Sequence, residues 1–88
     1  MANIKQQKKR VRIAARERME NLRYKSTAKT LMRRLERAVE EGDAAIVEQE
    51  HRELVRVLDR AASRGALHRN TVARRKARAA RALARRSS

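Results

Sequence analysis

The chain has 88 residues and a formal charge of +15, from 25 Lys/Arg and 10 Asp/Glu, with no Cys, Pro, Phe or Trp and a single tyrosine. This composition excludes a disulfide framework, thiolate metal sites and thiol catalysis. It leaves only Ala, Val, Leu, Ile and Met for the thin core of one small domain.

The two glycines, Gly42 and Gly65, divide the chain into three segments. The first predicts a helix over about 5–41, because Tyr24, Ala28, Leu31, Leu35 and Ala38 recur at steps of four and three. Leu22 and Val39 are expected to widen that stripe. "EEGD" then stops the helix, with Gly42 suited to a left-handed cap and Asp43 to the next N-cap. The second segment predicts a helix over about 44–64 on Val47, His51, Leu54, Leu58 and Ala61, broadened by Val55 and Ala62. Acids at Asp43 and Glu48 open it, and Arg60 and Arg64 close it, as the helix dipole favours. The third predicts a helix over about 69–86, with a stripe of Ala73, Ala77, Ala80 and Ala84 flanked by Val72 and Leu83. An alanine stripe buries little area, so this helix gains little from packing alone.

Short links between three helices predict an all-α, antiparallel three-helix bundle forming a single domain over residues 1–88. The first helix should be ~52 Å long and the second ~32 Å. Some ~20 Å of the first helix therefore overhangs the bundle. The overhang, "NIKQQKKRVRIAARER", has only Ile4, Val11 and Ile13 as sizeable apolar residues. Without a partner the first ~20 residues should be disordered or partly helical.

Charge follows the same division. Residues 1–35 carry twelve Lys/Arg and two acids, residues 36–63 four and eight, and residues 64–88 nine and none. So basic a chain repels itself, and two basic arms around an acidic middle point to a polyanionic partner. Nineteen of the basic residues are Arg, whose planar fork meets phosphate oxygens in pairs. A GC-rich genome explains Arg over Lys equally well, but not the clustering. With one aromatic residue there is no stacking platform for splayed bases, and neither zinc-finger spacing nor a glycine-rich phosphate loop occurs. Long Arg-rich helices fit the backbones of folded, double-helical RNA. Arg69, Arg74 and Arg75 lie near the start of the third helix, where cations are unfavourable unless a phosphate binds there.

His51 and His68 lie seventeen residues apart with no Cys and no acidic cluster at ligand spacing, so no metal or cofactor is implied. His51 reads as a half-buried core imidazole, and His68 as a helix cap or an RNA hydrogen-bond donor. No Ser/His/Asp set suggests catalysis, and Glu40, Glu41 and Asp43 read as a helix-end turn. Met19 and Met32 read as helix-surface or core residues. "MANIKQQKKRVR" has no apolar run behind its basic start, so it is not a secretory signal, and the longest aliphatic run, "AAIV", spans no membrane. A nucleoid-type DNA-binding protein is the alternative reading. An amphipathic membrane-surface helix is disfavoured by the lack of a Trp, Phe or Leu face.

"MANIK", Lys8-Lys9-Arg10, Asn21, Ser26, Thr30, "GD" at 42–43, Asp59, and then Gly65, "LHRN" and "ARRKAR" together resemble bacterial small-subunit ribosomal protein twenty. The resemblance covers nearly the whole chain without a gap. It implies a non-enzymatic, cytoplasmic, ribosome-bound three-helix bundle. Its partner is then 16S ribosomal RNA, with neighbouring ribosomal proteins as further candidate contacts, and no membrane or small-molecule substrate. The first and third helices are expected to face the RNA. By position, that expectation falls on Asn3, Lys5, Lys8, Lys9, Arg10, Arg16, Asn21, Arg23 and Ser26 in the first helix. In the last segment it falls on His68, Arg69, Asn70, Arg74, Lys76 and Arg78. Arg12, Lys29, Arg75 and Arg81 join the candidate set from the same basic arms. His51 and Leu31 stand where relatives often carry a bulky apolar or aromatic residue, which weakens the expected core but not the RNA face.

Overall fold

A computed structural model describes residues 4–87, with side chains described for residues 5–85. It contains three helices, α1 (Ile4–Glu41), α2 (Ala44–Ser63) and α3 (Arg69–Ser87), and each packs against the other two. The two-residue link at 42–43 turns the chain back on itself, so α1 and α2 run antiparallel. The link from 64 to 68 turns it again.

Local chemistry sets both turns. Gly42 ends α1 with φ +77, and its N–H donates to the Ala38 carbonyl at 2.9 Å. Asp43 caps α2, its Oδ1 accepting from the Ala45 and Ile46 N–H groups at 3.0 and 3.3 Å. These bonds satisfy N–H groups that have no partner inside the helix. The first turn of α2 itself holds no acid, so Asp43 supplies the negative charge at that end. Gly65 ends α2 with φ +74. The Ala66 N–H donates to the Ala61 carbonyl at 2.8 Å and the Gly65 N–H to the Ala62 carbonyl at 3.1 Å. This pair of bonds is a Schellman motif, and Ala66 and Ala61, the positions whose apolar contact usually goes with it, are both buried. Leu67 is buried beside it and anchors the link.

The core forms around Leu35, Leu54, Leu58 and Val47. Ala28, Leu31, Met32 and Ala38 complete the contribution of α1, while Tyr24 and Val39 pack against its edge. Ala61 lies on the same face of α2, and His51 and Val55 are half-buried there. Val57, which the sequence stripe missed, also packs on the core.

Two expectations about faces are corrected. Leu22 does not widen the α1 stripe; it is 57% exposed. It precedes Leu31 by nine residues, two and a half turns, and so lies on the opposite side of the helix. Met19 shares that outer side, whereas Met32 is buried. In α3 the buried residues are Val72, Ala79 and Ala82, with Leu83 half-buried, while Ala73, Ala77, Ala80 and Ala84 are exposed. Both alanine stripes have helical spacing. Val72 and Leu83 bury more apolar area than any alanine, so they fix which stripe turns inward.

At 38 residues α1 is ~57 Å long, against ~30 Å for the 20 residues of α2. The molecule is accordingly 65 Å along its longest axis and only 20 × 13 Å across. Every described side chain from Lys5 to Glu20 is exposed. The sequence predicts that this stretch is disordered or partly helical without a partner; here it is helical, with every described side chain exposed.

Candidate nucleic-acid interface

Basic residues occupy the exposed surface of α1 outside its core stripe. Lys5, Arg12, Arg16 and Arg23 recur at steps of seven and four, which places them on one face. Lys8, Lys9, Ser26 and Lys29 lie on the same outer half of the helix, and all are exposed. Arg10 and Asn21 do not join them. They continue the line of Ala28 and Leu35 beyond the end of the core; Arg10 is exposed and Asn21 half-buried. Asn3 lies outside the described residues.

The third helix carries its own ridge. Arg74, Arg78, Arg81 and Arg85 recur at steps of four, three and four on one exposed face. The exposed alanines 73, 77, 80 and 84 run along one side of it, so only small side chains border the arginines there. Arg75 and Lys76 are half-buried against the bundle.

The fold brings the two arms together in a groove of about 260 Å³ between α1 and α3. Lys29, Arg33, Arg75 and Arg78 line it, and buried Met32 lies between them. Three of these cations were singled out from sequence. Arg33 was not, although its spacing of four from Lys29 was the available signal.

Arg78 and Lys76 pair with carboxylates on other helices. Arg78 Nη2 donates to Glu36 Oε1 at 2.7 Å, linking α3 to α1. Lys76 Nζ donates to Asp59, linking α3 to α2. The Arg78 side chain is 60% exposed and that of Lys76 40% exposed. Such exposed pairs contribute only ~0–1 kcal/mol, so they aim the cations without locking them.

His68 is the N-cap of α3. Its Nδ1 accepts from the Asn70 N–H at 3.1 Å, and its carbonyl accepts from the Val72 N–H at 3.0 Å. Accepting at Nδ1 places the proton of the neutral ring on Nε2. The exposed ring therefore caps with one nitrogen and offers an N–H donor with the other. Arg69 and Asn70 are exposed in the turn that follows, which holds no acid. Arg74 Nη2 donates to Thr71 Oγ1 at 3.3 Å, which steadies the start of the ridge.

Among the described residues no group of three or more His, Cys, Asp or Glu is placed to hold a metal ion. No described helix is long and apolar enough to cross a membrane.

Comparison with known proteins gives a consistent result. The family model described as Ribosomal protein S20 matches residues 2–84. The small ribosomal subunit protein bS20 of Kocuria rhizophila is 46% identical over 76 residues, covering 86% of this chain and 88% of that protein. The bS20 protein of Crocosphaera subtropica is 43% identical, covering 94% and 93%. That of a Roseiflexus species is also 43% identical, covering 96% and 91%.

Proposed function

The chain belongs to the ribosomal protein S20 family, and on that premise we propose that it binds 16S ribosomal RNA directly and stabilises its folded form. As a member of that family it is a structural constituent of the small ribosomal subunit and not an enzyme. The observation that carries the finer reading is the meeting of two sequence-distant basic arms, α1 and α3, across the groove of Lys29, Arg33, Arg75 and Arg78.

The mechanism is electrostatic and geometric. RNA helices repel one another through their phosphates, and cations fixed on a rigid surface between them reduce that repulsion. The outer face of α1 offers a line of such cations, and the α3 ridge offers a second beside its low alanine strip. His68 Nε2–H, Arg69 and Asn70 supply donors at the start of α3, where the helix dipole favours an anion. The lack of aromatic platforms fits recognition by shape and backbone rather than by base identity. The site comprises the sequence-derived set together with Arg33, while Arg10 and Asn21 reach RNA only beyond the end of the core.

Chemical footprinting of 16S ribosomal RNA with the purified protein tests the proposal. Protected sites that persist at moderate salt are expected; their absence overturns it. Competition between ribosomal RNA and duplex DNA at matched salt separates this reading from nucleoid-type binding, because nonspecific attraction to phosphate is present in both.

A further inference from the structure

The α1/α2 side carries a second arginine-lined groove, two of whose arginines, Arg56 and Arg60, come from the segment whose net charge is negative. It measures about 450 Å³ and lies between Arg23 and Tyr24 of α1 and Arg56, Arg60 and Arg64 at the C-terminal end of α2. The acidic count of residues 36–63 hides this feature. Arg56, Arg60 and Arg64 recur every four residues, so they gather on one face of the helix.

The helix dipole accounts in part for Arg60 and Arg64, since cations are favoured near a C-terminus. It does not account for Arg56, nor for the way all three face Arg23 across a concave surface. Glu20 and Glu53 also line the groove, and Glu53 sits 3.7 Å from Arg56. Among the described residues Arg23, Arg60 and Arg64 have no carboxylate partner. Two acids against four arginines leave the groove net positive.

We propose that this groove holds a stretch of RNA phosphodiester backbone, which makes α2 a third contributor to the interface. Arg23 supports this occupant over an acidic protein segment. It belongs both to the basic outer face of α1 and to the groove, so the positive surface is continuous from one to the other. Guanidinium forks from two helices also suit the paired oxygens of a phosphate. The inference rests on the RNA-binding reading of the preceding section.

The test compares three variants of the full chain on a 16S ribosomal RNA transcript over a range of salt. In the first, Arg56, Arg60 and Arg64 are each changed to Gln. In the second they are changed to Lys, which keeps the charge if the first fails to fold. The third, Arg52→Gln, is a control outside the groove, where Arg52 pairs with Glu48. At ~0.7–0.9 per phosphate neutralised, the slope of log affinity against log salt should fall by ~2–3 in the Gln variant. It should not change in the Lys variant or the control. Footprints should lose a discrete subset of protections and keep the rest. A native slope and footprint in the Gln variant overturns the inference, as does binding of a poly-glutamate peptide that depends on these arginines while RNA binding does not. Either result leaves RNA binding by α1 and α3 standing. No binding of the native chain to the transcript overturns the reading beneath it.

Discussion

Removing residues 2–20 should separate the stability of this protein from its function. Every described side chain from Lys5 to Glu20 is exposed, so the deletion removes no described core residue. The remaining core, centred on Leu35, Leu54 and Leu58, is untouched. The melting midpoint should therefore move by no more than a few degrees, the equivalent of roughly 0.5 kcal/mol in a domain of this size. RNA binding should change greatly. The deletion takes the candidate contacts Lys5, Lys8, Lys9, Arg10, Arg12 and Arg16. If each neutralises one phosphate, the slope of log affinity against log salt falls by ~4–5.5. Between 50 and 200 mM salt the native chain would then lose ~300–2,000-fold more affinity than the truncated one. Filter binding at several salt concentrations gives the slope, and thermal melting followed by circular dichroism gives the stability. A large drop in melting midpoint would show that the overhang packs on the bundle. An unchanged slope would show that it touches no phosphate. Either result refutes the reasoning from length and exposure.

Other perturbations probe separate links in the argument. Leu54→Ala empties a fully buried position and should cost ~2–5 kcal/mol by chemical denaturation. His68→Ala removes the acceptor of the Asn70 N–H and should cost ~0.5–2 kcal/mol, with Asn at the same position restoring most of the loss. Because His68 also offers a donor, the Asn variant should regain stability without regaining full RNA affinity, which binding measurements would show. Glu36→Gln releases Arg78 and should change stability by less than ~1 kcal/mol, while RNA binding tightens and becomes more salt-dependent. In the free protein, amide exchange should be fast from Lys5 to Glu20 and slow from Ala28 to Ala38, since only the second stretch is packed.

Local rules made much of this molecule legible in the chain itself. Gly42 and Gly65 sit where the backbone needs positive φ, and Asp43 stands where a helix start needs an acceptor, so the three helices and both turns follow from short-range chemistry. The overhang followed from counting residues on either side of Gly42. His68 was readable as a cap because it leads a helix that opens without an acid. The faces of α3 were not readable in this way. Alanines at helical spacing on both faces mask the choice, and it is the packing of Val72 and Leu83 against α1 and α2 that turns Val72, Ala79 and Ala82 inward. That rotation presents Arg74, Arg78, Arg81 and Arg85 as a ridge and brings Arg75 and Arg78 against Lys29 and Arg33. The arginines of α2 were hidden for a related reason. A net charge summed over a segment carries no direction, whereas a helix sorts its charges by face, and the fold then decides which face meets Arg23.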